Sequence, residues 1–214
     1  MGMMLGKITV ETPKYQMIEK KEEFEIREYE PSVVAEVTYD PKEMKRGRDG
    51  GFVILAGYIG ALGSPCNKKN GTEAAGEKIA MTAPVITQEQ SQAGGSEKIA
   101  MTAPVITEEK QEEGGEKKLV TMQFVLPSKY TTVEAAPAPT DERVKIKGVP
   151  SKKMGVITFS GNADDKLTVQ QLEKLKTALH AAGYKISGEH ILARYNPPWT
   201  PWFLKTNEVM LPVE

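Results

Sequence analysis

The chain has 214 residues, 28 basic against 29 acidic side chains and a formal net charge of −1, with 39% hydrophobic residues. That length suits a single domain, 1–214, able to bury a sizeable core. The charge balance leaves no electrostatic case for nucleic acid or an anionic membrane surface, and no run nears the roughly 18 apolar residues of a membrane span. A lone cysteine, Cys66, precludes an internal disulfide and suits a reducing compartment. Met1–Tyr15 has neither the apolar core of a signal peptide nor the character of a transit peptide, and Gly6 stands where a myristoylation signal wants Ser or Thr. A cytoplasmic location is therefore expected.

Phe24–Tyr39, FEIREYEPSVVAEVTY, alternates apolar and polar positions on both sides of Pro31, which predicts two strands or one strand bent there. After the polar loop DPKEMKRGRDGG, the segment FVILAGYIGALG places Phe52, Leu55, Ile59 and Leu62 at helical spacing. Gly57, Gly60 and Gly63 each cost a helix interior about 1 kcal/mol relative to alanine, so packing has to hold this helix. Glycines on its surface let a sheet, or a flat ligand, approach closely.

Beyond the polar loop Cys66–Gly76, the eleven residues EKIAMTAPVIT stand at Glu77–Thr87 and again, unchanged, at Glu97–Thr107. Ile79, Met81, Ala83 and Val85 alternate with Lys78, Thr82 and Pro84, the pattern of a strand with one apolar face, and Ile99, Met101, Ala103 and Val105 repeat it. The linker QEQSQAGGS lets the copies pair as an antiparallel hairpin over about 77–107, whereas parallel pairing needs a longer crossover.

LVTMQFVLP follows, with Val120, Met122, Phe124 and Leu126 on one face, then the stiff connection AAPAP at 135–139. Strands are expected near Val144–Lys147 and Met154–Phe159. A helix over Asp165–Ala182 has Leu167, Leu172, Leu175 and Leu179 on its inner side, Asp164 and Asp165 as caps and Gly183 where it ends. Strands at Ile191–Tyr195 and Glu208–Val213 close the chain, separated by NPPWTPWFLKTN, whose Trp199, Trp202 and Phe203 supply either a pocket lid or a cover for the sheet edge. Strand, helix, strands occurs twice, which indicates two similar halves in the α+β class: an antiparallel sheet or partial barrel carrying two helices.

FEIREYEP at Phe24–Pro31, KIAMTAPV in both copies, LVTMQFVLPSKY at Leu119–Tyr130 and ARYNPPWTPWFLKTNEVMLPVE at the end together resemble the SOUL-type heme-binding proteins, the plant members most closely. The resemblance runs from about residue 8 to 214. It implies a distorted antiparallel β-barrel of two pseudo-symmetric β-α-β-β halves with two packed helices, and reversible binding of heme or a related tetrapyrrole. There are two departures. Glu28 stands where some members carry a histidine proposed as an axial ligand, and the MTAPV strand is present twice.

Axial ligation of heme iron takes His, Cys, Met or Tyr, whereas holding the ring needs an apolar slot and cations for the propionates. His180 and His190 are in no ligand motif and read as structural. Met81, Met101 and Tyr58 are the remaining candidate ligands, with the methionines reading as core before ligand. The resemblance implies that tetrapyrrole binds along the first helix, with Phe52, Leu55 and Ile59 as an apolar wall and Arg46 and Arg48 as propionate partners. No nucleophile elbow, zinc motif or phosphate loop is present, so catalysis is not expected. The expected role is a carrier or buffer acting with protein partners in tetrapyrrole metabolism. The alternative is an interaction protein whose pocket is filled and whose polar, glycine-rich excursions at 66–76 and 108–118 serve partners.

Overall fold

The computed structural model describes residues 8, 10–44, 47–68, 76–91, 118–196 and 200–214. In chain order the elements are β1 (Tyr15–Lys20), β2 (Glu25–Tyr29), β3 (Ser32–Tyr39), α1 (Gly50–Tyr58), β4 (Asn67–Lys68), β5 (Val85–Ser91), β6 (Lys118–Val125), β7 (Ala138–Pro139), β8 (Lys145–Val149), β9 (Lys152–Ser160), α2 (Asp165–Ala181), β10 (Ile191–Arg194) and β11 (Thr206–Pro212). β4 and β7 pair with each other. The rest form one antiparallel sheet, curled into a half-barrel, in the order β1-β2-β9-β11-β10-β5-β6-β3-β8.

Two β-α-β-β halves are visible in that order. β3-α1-β5-β6 and β9-α2-β10-β11 each set their first strand beside their third and their second strand at the joint, where β5 meets β10. The halves also exchange strands. β2, which leads into β3, bonds to β9, and β8, which leads into β9, bonds to β3. Pro31 therefore marks the point where the chain leaves one half for the other, and a residue without an N–H fits such a break.

Both helices lie on the same face of the sheet. Val85 packs with the α1 core and Leu192 with the α2 core, while Leu192 is directly opposite Thr87, two residues from Val85 on β5. The α1 core joins Val33, Ala35 and Val37 of β3 to Val120, Met122 and Phe124 of β6 and to Leu55 and Tyr58. The α2 core joins Phe24 and Ile26 to Val209, Leu211 and the Leu172, Leu175, Leu179 stripe.

α2 follows its sequence closely. The Asp164 carboxylate accepts from the Leu167 amide at 2.8 Å, and past the last turn Gly183 and Tyr184 donate to the carbonyls of His180 and Leu179. α1 is shorter than its pattern predicts. It starts two residues earlier and ends at Tyr58, because Gly60 and Gly63 have φ of 76° and 137° and form the turn that follows. The close helix-to-sheet contact is made by Gly51 instead, where a Cβ would come within 2.4 Å of the Tyr39 ring.

The first repeat copy enters the sheet only at Val85, and over Val85–Thr87 it has β6 on one side and β10 on the other. Upstream it has no regular alternation: Ile79, Ala83 and Pro84 are buried, and Met81 is 43% exposed rather than on the inner face. The Ala83–Pro84 peptide bond is cis. The second copy, Glu97–Thr107, lies outside the described residues, and with it the expected hairpin between the copies.

Candidate functional site

From Gly50 to Leu62 the sequence, GGFVILAGYIGAL, has no charged side chain. A helix that is apolar all round belongs in an interior. Yet α1 turns one side outward: Val53 is 37% exposed, Phe52, Ile54 and Gly57 are half-buried, and Leu62 just beyond is 62% exposed. A Cβ at Gly57 would meet only the Cys66 Sγ, at 3.7 Å, so the backbone there is open to close approach.

The surroundings of this face are set by three contacts. The Phe52 ring packs edge-on against Phe124 with centroids 5.5 Å apart. Arg194, at the end of β10, donates to Asp49 at 3.1 Å and to the Thr87 hydroxyl at 3.3 Å, tying the root of the 195–205 loop to the start of α1. Asn67 holds the other end, donating to the carbonyls of Tyr58 and Glu77 at 2.7 and 2.8 Å and accepting from the Glu77 amide at 2.7 Å.

The residues singled out from the sequence divide sharply. Leu55, Tyr58 and Ile59 are core residues, turned from solvent. Tyr58 donates its hydroxyl to the Pro137 carbonyl at 2.9 Å, and burial, followed by the nearby Tyr130 and Glu77, pushes that hydroxyl above the ordinary phenol range, the opposite of what a phenolate ligand requires. Phe52 keeps a partly outward position. Arg46, Met101 and the Arg48 side chain lie outside the described residues, as does Trp199. Trp202 and Phe203 sit in a single 3-10 turn, 64% and 59% exposed, and pack edge-on against each other at 5.8 Å.

His180 is exposed on α2. His190 is half-buried, and burial lowers its pKa against the opposing pull of Glu89. Both belong to the half that packs α2, away from α1. Glu28 is exposed on β2. Cys66 is exposed, and its amide donates to the Gly57 carbonyl at 2.9 Å. Two concavities lie apart from the outer face of α1. One, of about 540 Å³, is bounded by Val133, Ala136, Val144 and Ile146, and the other, of about 330 Å³, by Val10, Tyr15, Arg27, Tyr195 and Glu208.

The model of the SOUL heme-binding proteins matches residues 10–97 and 88–212. The chain belongs to this family. Heme or a related tetrapyrrole is accordingly the group it binds. The two matched stretches overlap, and each contains one copy of EKIAMTAPVIT. No curated protein matches the chain. Among solved structures, a hydrolase from Listeria innocua is similar at 13% identity with a TM-score of 0.54, covering 92% of this chain and 94% of the other. The EcmrR C-terminal domain is similar at 12% identity and 0.52, covering 94% and 98%. At such identities the likeness shows the fold alone. Among the described residues no helix is long and apolar enough to cross a membrane.

The residues of α1 fit a tetrapyrrole as a surface for a flat ring. Val53, Phe52, Ile54 and Gly57 would supply apolar contact and close approach, and Lys78, exposed beside Gly60, would be a cation at its far end.

Sequence reading missed the polar groups on the other sheet face. Arg27 donates to Glu208 at 2.9 Å, to the Tyr29 hydroxyl at 3.0 Å and to Glu25 at 2.6 and 2.8 Å, while Tyr195 donates to Glu208 at 2.6 Å. Burial, then the Glu208 charge, push the Tyr195 hydroxyl well above the phenol range.

Proposed function

We propose that the chain is a cytosolic carrier or buffer that holds heme or iron-free porphyrin against the outer face of α1, mainly by apolar contact, with weak or no axial ligation and without catalysis. The observation that supports this is the helix itself: a segment with no charged residue that nonetheless leaves Val53 exposed and Phe52, Ile54 and Gly57 half-buried beside it. A soluble protein leaves such a face uncovered at a cost, and a flat apolar ligand removes it. The loop whose root Arg194 ties to Asp49 also carries Trp202 and Phe203, both exposed. Arg46 and Arg48, just upstream, serve the propionates.

Weak ligation is proposed because Tyr58 and the histidines are not placed for it, which leaves the exposed Cys66 thiol, beside Gly57, as the described side chain of ligand type at that face. Tyr58 is committed to a backbone carbonyl, and both histidines belong to the other half. The test is Val53→Asp, which puts a charge under the ring while leaving the core intact. Hemin and protoporphyrin should both bind about tenfold more weakly or worse. Unchanged affinity for both, with an unchanged melting temperature, would refute the placement.

A further inference from the structure

The bed that holds the first repeat copy is built to read side chains, and the second copy has the same ones. Glu77 accepts from Lys129 at 2.8 Å and Tyr130 at 2.9 Å through its carboxylate, and its backbone N–H and C=O pair with the Asn67 side-chain amide. The Ile79 side chain is 5% exposed in the α1 core, and its amide donates to the Ile59 carbonyl at 3.0 Å. Thr82 donates its hydroxyl to the Val125 carbonyl, the Ala83 amide donates to Glu11, and Val85–Thr87 pair with β6 and β10. Every side chain in this inventory recurs at Glu97, Ile99, Thr102, Ala103 and Val105–Thr107. We propose that this bed is a binding site for either copy, so that Glu97–Thr107 of the same chain replaces Glu77–Thr87 by a twenty-residue shift of the strand now formed by β5.

Three observations favour an exchange over a single fixed arrangement. The shift preserves the alternation on β5, since twenty is even and each residue keeps its face. Downstream, the QEQS that continues the strand is replaced by EEKQ, equally polar, and the connection 92–117 contracts to 112–117, EEGGEK, whose Gly114–Gly115 suits a hairpin turn. The connection 69–76 grows in turn to 69–96. Closure cost rises only with the logarithm of loop length, so the loop lengths alone bias the two arrangements by about 1.4-fold; Ser96 takes the place of Gly76, where a Cβ would come within 2.5 Å of the Asn67 carbonyl oxygen, so that junction has to shift. Each stretch matched by the family model contains one copy.

Cross-linking reads the two arrangements directly. Ile86 is opposite Gln123 in the structure, and Ile106 takes that place after the shift. In full-length chains carrying Cys66→Ser, the pairs Ile86→Cys/Gln123→Cys and Ile106→Cys/Gln123→Cys should both close an intramolecular disulfide, at rates within about tenfold of each other. Closure by only one pair, by neither, or only between molecules overturns the exchange. As a second measurement, Ile79→Asp and Ile99→Asp should each leave the full chain folded with little change in melting temperature, because the intact copy fills the bed, while the double substitution unfolds it. If Ile79→Asp alone unfolds the chain as the double does, the second copy does not substitute and the proposal fails.

Discussion

Arg27 on β2 reaches across β9 to Glu208 on β11, donating at 2.9 Å, and both side chains are almost wholly buried. The pair ties the strand lent by the first half to the body of the second. Removing one member leaves the other charged in a low-dielectric site. Arg27 keeps Glu25, so Glu208→Ala should cost about 3 kcal/mol, at the lower end for a broken buried pair. Urea denaturation measures it, and a loss under about 1 kcal/mol would show that water reaches the site.

Gly51 and Gly57 predict opposite outcomes on one helix. Gly51→Ala drives a methyl into the Tyr39 ring and against Val37, and should destabilise by about 1–3 kcal/mol. Gly57→Ala meets only the Cys66 sulfur at 3.7 Å and should stabilise by up to about 1 kcal/mol through helix propensity, while weakening porphyrin binding by lifting the ring from the backbone. Thermal melts and a porphyrin titration of both variants separate the two effects.

Tyr58→Phe removes the donor to the buried Pro137 carbonyl and should cost about 1–2 kcal/mol. The hemin spectrum should not change. A shifted Soret band in this variant would place the phenol on the iron after all.

His190 gives the pH dependence a sign. Its folded-state pKa lies below the ordinary 6.5, chiefly through burial, with Glu89 and Glu189 opposing and Lys176 assisting. The unfolded chain therefore takes up the proton first, and stability falls as pH drops below about 6.5. His190→Gln should flatten that part of the profile, as followed by urea midpoints against pH.

Much of the fold was legible in the sequence because each signal was local. α2 carried its cap, its leucine stripe and its glycine stop, and β6 carried a pure apolar face at 120, 122 and 124, continued by Leu126 just beyond it. The exchange of β2 and β8 between halves was not legible, since it depends on which distant strand each one meets. α1 was misjudged in detail because its apolar composition offers no amphipathic stripe: Leu55, Tyr58 and Ile59 turned inward, and Val53, equally apolar, turned out. Gly51 escaped notice because only the position of the Tyr39 ring makes it necessary. Arg27 and Glu208 are 181 residues apart, and nothing local announces their pairing.

Parallel titrations with hemin and iron-free protoporphyrin, read by absorbance and fluorescence, address the mode of binding. A ring held by the apolar face of α1 gives dissociation constants within about tenfold of each other and a broad Soret band without strong-field ligation. A sharp low-spin hemin spectrum, with protoporphyrin bound more than about a hundredfold more weakly, would show that an iron ligand rather than the apolar face holds the ligand.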